Sequence, residues 1–179
     1  MIFLVRHGEA EAGWGHAADP GLSELGHKQA ETAAGALKLQ DIRHIVASPM
    51  ARCQQTCAPF AQLSGLEAMT DPDVSEIPTP DGLDDRVAWL RGFMGGDWKA
   101  APPVLHDWRE KLLAKANSFS DHTVVFSHFI AINTIVGSLQ GSEAVTSFRP
   151  GHCSVTQLNK GAGGLSIESL GSEAASQVL

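Results

Sequence analysis

Three short apolar runs, IFLV at 2–5, HIVA at 44–47 and TVVF at 123–126, set the strongest limit on how this chain folds. Their centres are continuously apolar instead of alternating, the pattern of strands buried on both faces. Longer stretches of helical character lie between them. LSELGHKQAETAAGALKL predicts a helix with Ser23 as N-cap and Ala30, Ala33, Ala34 and Leu37 as its buried stripe. MARCQQTCAPFAQL predicts a second helix, kinked or interrupted at Pro59. GLEAMT reads as a further strand, and LDDRVAWLRGFM and VLHDWREKLLAKAN as two helices separated by the breaker-rich GGDWKAAPP. FIAINTIVGSLQG follows the TVVF strand as a helix, and CSVTQLN with GLSIESL closes the sequence as a hairpin across Lys160 to Gly163. Strands alternating with helices predict an α/β layered fold around a mostly parallel sheet. With no internal repeat or interior linker, residues 1–179 are expected to form one domain, with a helical insertion or cover at about 83–118.

Composition narrows the partners. A formal net charge of −7 argues against general nucleic-acid binding, which depends on Lys and Arg neutralising phosphates. A small anionic substrate stays compatible, because a few arginines set the potential of a cleft whatever the total. Three cysteines cannot all pair within one chain, and with no signal-like start they predict a reducing, cytoplasmic setting. The apolar opening, Met1 to Val5, is too short for a signal-peptide core or a membrane span, so no membrane association is expected.

Ligands on open α/β sheets bind beyond the carboxyl ends of strands, so the residues just past each strand carry the functional information. The first strand ends in Arg6-His7-Gly8-Glu9, the second in Ser48-Pro49 with Arg52 one turn into the next helix, and the TVVF strand in Ser127-His128. Two arginines and two histidines from distant parts of the chain thus share one structural location. Phosphate monoesters repel nucleophiles, and transfer of their phosphoryl group needs fixed positive charge on the non-bridging oxygens. Arginine supplies a planar fork that stays charged, and a neutral imidazole can attack to form a covalent intermediate. An arginine in the first turn of a helix is poorly placed for the helix dipole unless an anion is bound there. Gly8 allows a tight turn and close approach of phosphate to backbone N–H groups.

These motifs resemble those of the histidine phosphatase superfamily, which includes the cofactor-dependent phosphoglycerate mutases. LVRHGEA is similar to the family signature, LSELGHKQA to its Leu-Thr-x-x-Gly-x-x-Gln-Ala segment, ASPMARCQQT to its Ser-Pro-x-x-Arg-x-x-Gln-Thr segment, and VVFSH to the strand carrying its second histidine. The four matches occur in the family's order and run from the start to about Gly137. The resemblance implies a phosphoglycerate mutase-like fold, a three-layer α/β/α sandwich around a mostly parallel, mixed central sheet. It implies phosphoryl transfer without metal or other cofactor. His7 would become the phosphohistidine, and Arg6, Arg52 and His128 would complete the phosphate pocket. The family's carboxylic acid, which protonates the leaving oxygen and then activates water, usually lies on a mid-chain loop. Glu76 in DPDVSEIPTP is the matching candidate, with Asp73 and Asp81 close enough to compete.

Departures from the family pattern bear on the reaction. EAEAGWGHAADPG lacks the Asn and the Arg-x-x-Gly of mutase-like members, and the chain is short for enclosing a substrate through two transfers. Both favour a phosphatase acting on a small phosphorylated substrate or a phosphoprotein. A mutase, a phosphohistidine phosphatase and a non-catalytic phosphate-binding protein are the alternatives. Phe129 stands where the family has a small residue after the second histidine, so it either narrows the pocket or turns His128. Trp14 could line the substrate mouth, and Trp89, Trp98 and Trp108 could pack within the helical segment or cover the site. His152 could approach the pocket only if the strand that follows it runs antiparallel. Cys53 and Cys57, four apart on a helix, have no partner ligands in view and read as small buried residues instead of a metal site.

Overall fold

Strand β1 (Ile2–Arg6) is buried along its whole length at the centre of a mixed sheet. The computed structural model describes residues 1–12 and 19–174. The other strands of the sheet are β2 (His44–Ala47), β3 (Ala68–Thr70), β4 (Thr123–Ser127), β5 (Val155–Gly161) and β6 (Gly164–Ser169). Their order is β3-β2-β4-β1-β5-β6. Strands β1 to β4 are mutually parallel, while β5 runs antiparallel to β1, and β6 antiparallel to β5.

The continuous apolar character of the strands is explained by burial on both faces. On one side Phe3, Val5, Ile45, Ala47, Val124 and Phe126 pack against Ala34 and Leu37 of helix α1 (Glu24–Leu37) and Cys57 and Phe60 of helix α2 (Ala51–Ser64). On the other, Ile2, Leu4, Val46 and Val125 meet Leu112 and Ala116 of α4 (Pro103–Ser118) and Ala131, Ile132 and Val136 of α5 (Phe129–Leu139). Helix, sheet and helix form three layers, as expected. Ser23 caps α1 by accepting from the Gly26 N–H at 3.0 Å, and Ala30, Ala33, Ala34 and Leu37 are its buried face. Helix α3 (Arg86–Met94) and a 3-10 turn (Trp98–Ala100) lie between β3 and α4.

Pro59 does not interrupt α2, which continues through it to Ser64. Cys53, Thr56, Cys57 and Phe60 form a buried face pressed on the sheet, and this packing outweighs a local penalty of roughly 3 kcal/mol. Gly65, at φ 72°, ends that helix in the left-handed region, so the third strand begins only at Ala68. Among the described residues no helix is long and apolar enough to cross a membrane.

Candidate active site

The register of three parallel strands assembles the site. Arg6 pairs with Ser127 and Ala47 with Phe126, so the chain leaves all three strands at one level. The His7 N–H donates to the Ser127 carbonyl at 3.0 Å and the Ser48 N–H to the Phe126 carbonyl at 3.0 Å, extending the ladder into the loops. His7, Ser48 and His128 therefore converge, and Arg52 reaches the same point from the first turn of α2. Arg6, His7, Arg52 and His128 are respectively 5%, 5%, 8% and 0% exposed, so four polar side chains share a nearly dry pocket. The rings of His7 and His128 meet edge-on with centroids 5.3 Å apart.

Hydrogen bonds assign the tautomers. His7 Nδ1 lies 2.7 Å from the Gly8 carbonyl, which can only accept, so the proton is on Nδ1. Nε2 keeps its lone pair and accepts from Arg52 Nε at 3.3 Å. Arg52 Nη2 lies 3.2 Å from His128 Nδ1, which must accept, leaving Nε2–H of His128 to donate to Ser48 Oγ at 2.8 Å. Cys53 Sγ is 3.4 Å from the same Nε2. One guanidinium thus bridges both imidazoles.

Burial, and after it the Arg52 and Arg6 charges, hold the His7 pKa well below the ordinary histidine value. The arginines act as the sequence anticipates, but desolvation is the larger cause. His128 is pushed the same way, by burial first and then by His7, Arg52 and Arg6. Burial also lowers Arg6, to about 10, which leaves it charged near neutrality. Its Nε is buried and has no hydrogen-bond partner among the described residues.

Glu76 lies just after a 3-10 turn (Pro72–Val74). One carboxylate oxygen accepts from the Ile77 and Ala131 N–H groups at 3.1 Å each, and the other from the Ile130 N–H at 3.2 Å. It therefore caps α5, whose own N-cap residue His128 makes no side-chain capping bond. Burial raises the Glu76 pKa, and the three backbone donors and Arg52 partly offset that. Its charge acts on both Arg6 and Arg52, whereas Asp73 and Asp81 are exposed.

Gly8 differs from expectation. Its N–H donates to Thr56 Oγ1 at 2.9 Å and so is committed within the protein. Glycine is required by space: a Cβ at Gly8 would lie 2.7 Å from the Gly26 carbonyl oxygen. Phe129 is a core residue, 1% exposed. It is buried with Ile77, Leu90, Trp98 and Leu105, and its ring lies under Arg6, 5.2 Å from the guanidinium carbon. The helical segment is tied to the site through this cluster, in which Trp98 stacks on Trp108 at 6.1 Å. Trp89 stacks instead on Phe93, at 5.5 Å. The antiparallel course of β5 meets the condition set for His152, which reaches Arg6 Nη2 at 2.9 Å. Trp14 lies outside the described residues.

Asp19 was not foreseen. Its carboxylate accepts from the Ala51 N–H at 3.0 and 3.1 Å, in the first turn of α2, and stands 3.7 Å from Arg52 Nη1. An internal anion thus occupies the helix start that the position of Arg52 implied. The Ser48 and Cys53 contacts with His128 were also missed. Ser48 sits at a strand end, a signal that could have identified it, while Asp19 has no local pattern to mark it.

Residues 2–81 match the family described as histidine phosphatase superfamily (branch 1). A Yersinia pestis protein named "Probable phosphoglycerate mutase GpmB" is 27% identical over 183 aligned positions, covering 89% of this chain and 84% of that one. A mycobacterial glucosyl-3-phosphoglycerate phosphatase, solved with VO3, superposes with a TM-score of 0.73 at 24% identity, covering 94% of this chain and 96% of the other. A phosphoserine phosphatase from Entamoeba histolytica, solved with 3-phosphoglyceric acid, gives a TM-score of 0.79 at 21% identity and 96% coverage of both chains. The two structures share the fold described above.

Proposed function

We propose that this chain, whose residues 2–81 match the histidine phosphatase superfamily (branch 1), acts as a member of that family and hydrolyses phosphate monoesters through a phosphohistidine at His7. One observation carries the reading: His7 Nε2 is unprotonated, its lone pair accepting only the Arg52 Nε–H, in a buried pocket flanked by Arg6 and Arg52. A dianionic phosphate entering there takes over the Arg52 Nε–H that now points at Nε2, and uncovers the nucleophile as it binds. The Arg6 Nε–H, unpartnered among the described residues, is a second donor for the same group. The two guanidiniums supply the positive charge that phosphoryl transfer demands, with the neutral His128 imidazole beside them, so the chemistry calls on no metal.

In the first step Nε2 attacks phosphorus, the bond to the leaving oxygen breaks, and protonated Glu76 gives that oxygen its proton. In the second, Glu76 removes a proton from water, the hydroxide attacks phosphorus, and the N–P bond breaks to return neutral His7 and inorganic phosphate. The raised pKa of Glu76 favours the protonated start. The two phosphatases of like fold are compatible with hydrolysis, and the missing mutase-type segment after Glu9 favours it over transfer between substrate hydroxyls. The name of the Yersinia relative keeps mutase activity as the second reading.

Turnover of an aryl phosphate in chelator-treated buffer tests the proposal. Hydrolysis is expected, with loss by orders of magnitude in His7→Ala, and with an acid-labile, base-stable phosphoenzyme in the wild type. Undiminished hydrolysis in His7→Ala refutes it. Conversion of 3-phosphoglycerate to its 2-phospho isomer without phosphate release selects the mutase instead.

A further inference from the structure

Arg6 is held from two directions by a turn that comes 144 or more positions later in the chain. Nη1 donates to the Pro150 carbonyl at 2.9 Å and Nη2 to His152 Nε2 at 2.9 Å, while the Phe129 ring supports the guanidinium face. The same turn grips the Arg6 backbone, because the Cys153 N–H donates to the Arg6 carbonyl at 3.0 Å and the Arg6 N–H to the Ser154 carbonyl at 3.3 Å. It is anchored in turn by the Gly151 N–H donating to the Ser172 carbonyl at 2.8 Å. This arrangement exists because β5 runs antiparallel to β1, which places the entry to β5 at the exit of β1.

The partners of Arg6 share a property: a carbonyl, an imidazole and an aromatic face are all neutral. Among the described residues Arg6 makes no ion pair, whereas Arg52 has Asp19 at 3.7 Å. A carboxylate at position 152 would orient Arg6 equally well but cancel the charge that phosphate needs. A protonated histidine would turn an N–H and a like charge toward the guanidinium. We propose that His152 is a positioning residue for Arg6, acting as a neutral Nδ1–H imidazole whose bare Nε2 fixes the edge that Arg6 turns to the substrate phosphate without neutralising it. Burial and the Arg6 charge hold the His152 pKa down, to about 4, against a smaller opposing effect of Glu9, so the ring is neutral at working pH. The inference rests on the phosphatase reading for its substrate, but not for its geometry.

Two variants and one spectrum test it. His152→Ala is expected to weaken both inorganic phosphate binding, by calorimetry, and kcat/KM for an aryl phosphate by about tenfold, the scale of one hydrogen bond to a charged group. His152→Gln, whose amide oxygen accepts without titrating, should recover both to within about threefold. Nitrogen-15 histidine spectra of the wild type at neutral pH should show His152 as the Nδ1–H tautomer. An Nε2–H tautomer, a His152→Ala variant with unchanged phosphate affinity, or a Gln variant no better than Ala overturns the assignment. If phosphate affinity and tautomer behave as expected in a protein that hydrolyses nothing, the phosphatase reading falls and this one stands. Normal phosphate affinity and turnover in His152→Ala do the reverse.

Discussion

Replacing Gly26 with alanine sets helix propensity against a backbone contact that supports the site. Gly26 lies in the first turn of α1, where alanine would be worth up to about 1 kcal/mol more than glycine on propensity alone. The Gly8–Glu9 segment, however, lies directly on that turn. A Cβ at Gly26 would sit 2.1 Å from the Glu9 carbonyl oxygen and 3.0 Å from its carbon, so Glu9 would have to retreat by roughly 1 Å. That oxygen also accepts from the Ser23 N–H at 2.8 Å, a bond the retreat would stretch or break. Overpacking at about 1–3 kcal/mol and one hydrogen bond at about 1 kcal/mol exceed the propensity gain, leaving a net loss of about 1–3 kcal/mol. At roughly 2–4 °C per kcal/mol for a chain of this size, Tm falls by several degrees. Activity should suffer more than stability, because a shift of about 1 Å beside the nucleophile can cost on the order of a hundredfold. Gly35 is the control within the same helix: it is exposed, and a Cβ there would meet nothing within 4 Å. It should accept alanine with a gain of about 0.5–1 kcal/mol and unchanged turnover. Urea denaturation and aryl phosphate turnover on both variants decide the matter. A Gly26→Ala protein as stable and as active as Gly35→Ala would refute the reasoning.

Glu76→Gln should depress turnover of an alkyl phosphate by about 10²–10³ while sparing an aryl phosphate, whose leaving oxygen needs little protonation. Equal loss on both substrates would reduce Glu76 to its capping of α5. Stability should fall on acidification below about pH 6.5, because His7 and His128 stay neutral in the fold well past the point where an unfolded histidine takes up a proton. Each contributes a slope of up to about 1.4 kcal/mol per pH unit, full stability lying above the unfolded value and being lost as pH falls toward the depressed folded one. Glu76 acts in the opposite sense, since its raised pKa adds stability that is lost as pH rises through the folded value. Denaturant midpoints at pH 7 and pH 5.5 measure the balance, and a midpoint that is equal or higher at pH 5.5 would contradict it.

Local patterning sets the order and type of the elements, because periodicity and burial are written locally. The double burial of IFLV and TVVF, the Ser23 cap and the alanine stripe of α1 all appear as read. It also determined which polar residues stand at strand ends, and so pointed to Arg6, His7, Arg52 and His128. Strand order and register were decided only by tertiary structure. The pairing of Arg6 with Ser127 makes neighbours of two histidines 121 positions apart, and the reversal of β5 brings His152 to Arg6. Pro59 within an unbroken helix, Phe129 beneath an arginine and Gly8 against Gly26 belong to the same class. In each, the deciding energy is a contact between segments remote in the chain, and no local pattern encodes the partner of such a contact.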